Sequence, residues 1–556
     1  MARSPPQLQR QADIVILLGL IAFRAINACL VRTYFSPDEY WQALEVAHRI
    51  TFGYGYLTWE WAVALRSVLH PALFAGLYKV LAAAHLDDGP LYIYAPRLFQ
   101  SLFAAIGDFY AYRFAYRLFE NQWVANWTLF LTVTSWWNFF CSTRTLANST
   151  EAALTMIALY YWPFPSVSPP SSAQDHTSRA PTKTAAPSKV TWQGHRTISL
   201  AIAFLTCIFR PTAAIMWIFM GSSLLLRYYM NGDGGAILAT LASVVVLSGS
   251  AILGSAVLDS TLLYDDWVFT PLNFLRVNVL EGISLFYGSS PWHWYLSQGL
   301  PLLFGIYLPF VLVGSWRALK SSTGLNASMK RSVLHVSLWM VVIYSSLQHK
   351  EWRFLYPILY PLLPFAGDTF YKMFLPIQQD WKKSKAKVAA ILVGVVAVNA
   401  VMAWYTTMVH QRGVVDVMEW VRQEARTGQI QSVGFLMPCH STPWLSSTHR
   451  KNADSLIMWF VTCEPPLGDI DSATYKDESD IFYEDPVAFM NERALAQKNP
   501  PEESHLVMFE DLLRSWPKMP TWLNNHGYRE CARFFNSHFH DDDRRRGDVL
   551  VYCRGV

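Results

Sequence analysis

Charge is what this chain lacks. Only 15% of its 556 residues are Asp, Glu, Lys or Arg, against about 25% in soluble proteins. So few charges cannot cover a water-facing surface of this length. The net charge is +4, too small to draw a chain onto nucleic acid, and no Lys/Arg-rich patch points there either. There are seven cysteines, with no CxxC pair and no His/Cys spacing of a metal site. No internal repeat is visible. A cleavable signal peptide is not expected either. Arg3 and Arg10 precede the apolar run 13–31, but IAFRAINACLVRTY offers no small-residue cleavage site and Arg24 interrupts it. The expectation is a retained first span.

What the chain has instead is apolar length. Apolar residues make up 52% of it, and 23 are Trp. Runs of membrane-spanning length lie at 13–31, 97–117, 122–141, 147–164, 197–209, 212–229, 236–258, 297–316, 333–348, 355–374 and 388–407. The run 197–209 is short. After about residue 408 the pattern turns mixed and charge-rich, as in a soluble domain. The expected fold is an α-helical polytopic membrane protein with about eleven transmembrane helices. Residues 1–407 form its membrane unit, with a long first loop at 32–96 and a Pro/Ser/Thr/Ala-rich, disordered loop at 165–196. Residues 408–556 form a mixed α/β domain.

Lys and Arg stay on the cytoplasmic side of a membrane. Arg3, Arg10, Arg317, Lys320, Lys330, Arg331, Lys382, Lys383, Lys385 and Lys387 set the orientation. Segments 32–96, 143–149, 210–212, 259–296 and 349–354 then fall on the far side, together with the C-terminal domain. No room is left for a further apolar run, 71–86, to cross. Lys79 within it and His70 and His85 at its ends suit a helix lying at the interface.

Sequons at Asn126, Asn148 and Asn326 fall in or against spans or on the cytoplasmic side, so none is expected to carry a glycan. Cys29, Cys141 and Cys207 lie within spans. Cys439, Cys463, Cys531 and Cys553 lie in the tail and allow three pairings. Cys439–Cys463 with Cys531–Cys553 is the expected set, in an oxidising compartment.

Every unusual polar motif lands on the far side. YFSPDEYWQALEVAH (34–48) sets Asp38 and Glu39 among aromatics at the end of the first span. Neighbouring side chains diverge on a regular element, so one acid can serve as a base while the other holds a partner. Asp38 can equally cap the helix that follows. FGYGYLTWEWAVALRS (52–67) brackets Glu60 with Trp59 and Trp61, a pattern suited to stacking on sugar CH faces or to an interfacial Trp belt. HKEWRF (349–354) packs His349, Lys350, Glu351 and Arg353 between two spans, where ionisable groups are costly unless paired or functional. Such cations suit a lipid phosphate. Arg144 in TRTLANS, Arg210 in RPT and His293 in FYGSSPWHWY lie at the same boundary. Together these residues describe a membrane-level pocket for moving a group off a lipid phosphate carrier. A transporter or scramblase is the rival class, but it would place its charges near mid-membrane with broken helices.

SPDEYWQALEVAH, FGYGYLTWEW, RTLANSTE, IFRPTA, FYGSSPWHWY and HKEWRF jointly resemble glycosyltransferase family 22. These are GT-C-fold mannosyltransferases that use dolichyl-phosphate mannose in the endoplasmic reticulum. LMPCHSTPW, VTCEPP and FFNSHFHDDDRRRGDVLVY resemble the branch that acts on precursors of the GPI anchor. The resemblance implies transfer of the third, α-1,2-linked mannose to the second mannose of such a precursor, with inversion. It implies Asp38 as base, with Glu39 positioning the acceptor or sharing that role. It gives Arg353, Lys350 and His349 to the donor phosphate, and Trp59, Glu60, Arg144 and His293 to the pocket walls. No metal or other cofactor is expected, and no nucleic acid. The substrates are a lipid-linked sugar and a glycolipid acceptor. A sister enzyme of N-glycan precursor assembly is the nearest alternative.

Overall fold

The computed structural model describes residues 6–164, 189–280, 288–321, 326–379, 381–449, 456–467, 474–496 and 503–555, with Ile283 and Phe286. The low-complexity stretch lies, as far as residue 188, outside the described residues. All eleven apolar runs fall on helices. The short run 197–209 is the end of a longer helix, Lys189–Phe209. Among the described residues, five helical stretches are long and apolar enough to cross a membrane by length and composition: Arg10–Leu30, Pro211–Met230, Gly234–Tyr264, Tyr295–Lys320 and Val388–Thr427. Other helices carry polar groups that interrupt their apolar windows, as Arg97, Gln100 and Asp108 do in Pro90–Phe119.

Those interior polar groups are paired. Arg24 Nε donates to Asp108 Oδ2 at 2.6 Å, and both side chains are fully buried. Asn138 Nδ2 donates to Asp108 Oδ1 at 3.0 Å, while Tyr356 and Tyr360 donate to Asn138 Oδ1 at 2.6 and 3.0 Å. One network thus ties the helices Pro6–Leu30, Pro90–Phe119, Trp136–Cys141 and Leu359–Gln379. Removing one partner of a buried pair costs about 3–5 kcal/mol, because the other charge is stranded. Asp108→Leu is therefore expected to lose monodisperse folded protein in detergent. Arg24→Met combined with Asp108→Leu should recover most of it, as read by size-exclusion profile and thermal unfolding.

The apolar run at 71–86 forms the helix Leu69–Ala83. Its 15 residues rise about 22 Å, short of a hydrocarbon core of about 30 Å. Its buried face, Phe74, Ala75, Tyr78 and Leu81, joins a cluster with the first loop, with Tyr92 and Ala95 of the helix Pro90–Phe119 and with the C-terminal domain.

The tail folds around a five-stranded sheet: β1 Ser432–Leu436, β2 Ile457–Phe460, β3 His505–Phe509, β4 Tyr528–Phe534 and β5 Val549–Arg554. The strand order is β2-β1-β3-β5-β4. β1 pairs parallel with β2 and β3, and β5 pairs antiparallel with β3 and β4. Side chains alternate between the faces. Val433, Phe435, Val507, Phe509, Val549 and Val551 pack with the helix Gly413–Thr427 and with Tyr34, Tyr40, Trp41 and Leu44 of the first loop. Leu436, Leu506, Met508 and Leu550 pack instead on tail helices through Phe482, Met490, Trp522 and Leu523. The expected disulfides both form, Cys439–Cys463 and Cys531–Cys553.

Candidate active site

The dipeptide Asp38-Glu39 sits on an irregular turn. Pro37–Glu39 makes a 3-10 turn, Tyr40–Leu44 a π-helical turn, and Glu45–Phe52 an α-helix. Single π turns recur at functional sites because they re-aim side chains. The helix ends at Gly53, whose φ of +83° suits glycine. Two residues on, Gly55 passes so close to Arg49 and Glu45 that an added Cβ would sit 3.1 Å from each. Those two glycines let the aromatic stretch 54–61 fold back over the helix.

The turn sends the two acids in opposite directions. Glu39 points inward and is fully buried. Its Oε1 accepts from Arg97 Nη2 at 3.0 Å and its Oε2 from Arg144 Nη1 at 2.8 Å. Arg144 also bonds Thr33 O and Thr33 Oγ1, both at 2.7 Å, and Phe140 O at 2.9 Å. Arg144 is fully buried and holds the turn from within, where its motif led to the expectation of a pocket wall. The reason is the buried charge of Glu39, which two guanidiniums neutralise. Asp38 caps neither element; the N-cap of the 3-10 turn is Ser36 and that of the α-helix is Leu44, and neither makes a side-chain cap bond.

Asp38 instead faces the second motif. Its Oδ2 lies 2.7 Å from Arg353 Nη1, with 16% of the Asp38 side chain and 6% of that of Arg353 exposed. Arg353 Nε is held by Glu351 Oε2 at 2.6 Å. Glu351 Oε1 lies 3.3 Å from His349 Nε2. Burial alone would raise the Glu351 carboxyl, but Arg353 and His349 hold it well below the usual carboxylate range. The Glu351 hydrogen bond in turn raises His349. Acid turn and HKEWRF thus form one ionic cluster.

Further residues complete it. Arg210 contacts Glu151 at 3.2 Å and donates to Asn148 Oδ1 at 2.9 Å, while Asn148 Nδ2 donates to Arg353 O at 3.4 Å. The Arg210 guanidinium stands 5.5 Å from the Phe354 ring centroid. RPT, RTLANSTE and HKEWRF meet here. Arg66 Nη2 lies 4.0 Å from Asp38 and 3.9 Å from Glu60. Glu60 accepts from Gln42 at 2.8 Å and from Thr58 at 2.5 Å. His70 is pushed down to about 3 by burial, with Arg210 and Arg66 reinforcing the shift, so it is neutral. Glu151, Asn148, Arg66 and His70 were missed as site residues. Glu151 was the findable one, an acid inside a motif already singled out.

The other expected residues are placed less centrally. Trp59 is buried. Trp61 is buried with Val46 and Val68 and is no exposed sugar platform. Lys350 Nζ donates to Ser290 O at 2.9 Å and also to Leu347 O, which ties two loops together. His293 is exposed and contacts Ser297 of its own helical turn at 3.3 Å, outside the cluster. Asn148 is buried, in keeping with an unglycosylated sequon.

The chain superposes on ArnT from Cupriavidus metallidurans bound to undecaprenyl phosphate, with a TM-score of 0.57, 13% identity and 97% of each chain covered. The fold is the helical GT-C type, and this protein is a membrane glycosyltransferase. Residues 15–449 match the Alg9-like mannosyltransferase family. GPI mannosyltransferase 3 of Yarrowia lipolytica is 38% identical over 553 residues, covering 97% of this chain and 96% of its own length. GPI alpha-1,2-mannosyltransferase 3 of Mus musculus is 35% identical over 561 residues, 99% of this chain and 91% of its own. Mannosyltransferase APTG1 of Arabidopsis thaliana is 37% identical over 553 residues, 97% and 91%. This chain belongs to the Alg9-like mannosyltransferase family.

Proposed function

We propose that this protein transfers mannose from dolichyl-phosphate mannose to the second mannose of a GPI-anchor precursor, forming an α-1,2 bond at the lumenal face of the endoplasmic reticulum membrane. The observation that carries the chemistry is the 2.7 Å approach of Asp38 to Arg353. The acceptor and donor follow from near full-length similarity to GPI mannosyltransferases.

The donor sugar is β-linked and the product α-linked, so one in-line displacement with one base is sufficient. The acceptor 2-hydroxyl oxygen attacks the anomeric carbon, and its proton passes to Asp38. The bond from that carbon to phosphate oxygen breaks, and dolichyl phosphate leaves. Arg353, aligned by Glu351, stabilises the leaving phosphate, with His349 and Lys350 adding positive charge at the boundary. Glu60, with Trp59 beside it, borders the acceptor path. Glu39 and Arg144 act as positioning residues. His293 has no part in this scheme.

All eleven apolar helices cross the membrane in this reading, and the C-terminal domain is lumenal. In this reading no metal is needed, because Arg353 supplies positive charge for the leaving phosphate. The test uses microsomes from cells that lack the native activity. With labelled dolichyl-phosphate mannose, this chain should convert a two-mannose GPI precursor to a three-mannose one, and excess EDTA should leave the rate unchanged. Elongation of N-glycan precursors instead would transfer the assignment to the sister enzyme. No transfer to either acceptor would refute the reading, and loss of rate in EDTA would refute its metal-free form.

A further inference from the structure

The catalytic turn is gripped from the C-terminal domain on both sides of Asp38. Before it, the Tyr34 hydroxyl donates to His440 O at 2.5 Å. After it, Trp41 Nε1 donates to Thr442 O at 2.8 Å. Further along, Glu45 Oε2 accepts from Ser446 N at 2.8 Å, and the Tyr56 hydroxyl donates to Glu464 at 3.1 Å. The Trp41 indole lies 4.4 Å from the His440 ring, 5.0 Å from Phe460 and 5.4 Å from Trp444, centroid to centroid. Tyr34 stacks on Tyr40 at 5.4 Å. The Cys439–Cys463 disulfide binds the loop that carries His440 and Thr442 to the strand end before Glu464.

A 3-10 turn running into a π turn has poorer internal hydrogen bonding than an α-helix. Ser36 supplies no cap. The position of Asp38 must therefore be set from outside the turn. Glu39 fixes its inner edge on Arg97 and Arg144. We propose that the loop 438–446 of the C-terminal domain fixes the outer edge, acting through Tyr34 and Trp41 as positioning residues for Asp38. This rests on Asp38 being the base. The soluble domain then belongs to the catalytic machinery through Tyr34 and Trp41.

The test is a kinetic cycle. Tyr34→Phe with Trp41→Phe keeps an aromatic ring at each position and deletes both hydrogen bonds to the loop. Misplacing a base by about 1 Å costs up to about 100-fold in rate. The double variant should lose about 10- to 100-fold in kcat, with the KM for dolichyl-phosphate mannose nearly unchanged. Added to Asp38→Asn, the same changes should cost nothing further, because they act through the group already removed. A wild-type kcat, or a loss that adds in full to that of Asp38→Asn, overturns the inference. If the double variant does not fold, the two single changes are read by the same criteria. Breaking the disulfide by Cys439→Ser with Cys463→Ser is a second lever, expected to lower kcat in the same way. An active Asp38→Asn enzyme overturns the base assignment and this inference together. An inactive one beside a fully active Tyr34→Phe/Trp41→Phe enzyme overturns this inference alone.

Discussion

Asp38→Asn is expected to abolish most mannose transfer while leaving a well-folded protein. A positioned general base contributes about 10²- to 10⁴-fold, and the amide cannot accept the acceptor proton. The side chain keeps its size. It is 16% exposed and pairs with Arg353, which Glu351 also holds. Losing the Asp38 charge therefore does not strand a buried cation. Transfer by microsomes should fall by that factor, with a two-mannose GPI intermediate accumulating, while detergent-solubilised protein melts like the wild type. A stable Asp38→Asn protein with full activity would remove Asp38 as base.

Glu39→Ala, one residue on, is expected to fail in the opposite way. Glu39 is fully buried between Arg97 and Arg144. Deleting it leaves two guanidiniums facing each other without a counter-charge. The cost of breaking a buried ionic network is about 3–5 kcal/mol, out of a total stability of about 5–15 kcal/mol. Expression level and the melting transition should collapse, with activity lost in proportion to folded protein. Glu39→Gln should fall between, since it keeps hydrogen-bonding atoms and loses the charge. A Glu39→Ala protein that melts normally but has lost kcat would instead place Glu39 at the reacting centre.

The contrast between these neighbours shows what the sequence could convey. That one acid would act and the other hold a partner follows from the divergence of adjacent side chains. Which is which depends on Arg97 and Arg144, 58 and 105 residues away in the chain. The meeting of Asp38 with HKEWRF was legible because both motifs put costly charges at one membrane boundary. Position at the boundary does not reveal which way a side chain points: Arg144 turns inward onto Glu39 and Thr33. The helices were legible from apolar length. The helix Leu69–Ala83 was legible as a further apolar run at 71–86. The tail could be read only as mixed α/β, because its short strands and helices alternate without a distinctive period. Its grip on Tyr34 and Trp41 had no local signal at all, since those contacts join residues about 400 positions apart.

The central claim is that one site holds both the proton acceptor and the phosphate grip. An experimental structure with a non-transferable dolichyl-phosphate-mannose analogue and a mannose-terminated acceptor tests it most directly. The account predicts the donor phosphate within hydrogen-bonding distance of Arg353, and the acceptor 2-hydroxyl about 2.6–3.2 Å from an Asp38 oxygen. A donor phosphate seated away from Arg353, with Asp38 still locked in its ion pair and remote from both sugars, would contradict it.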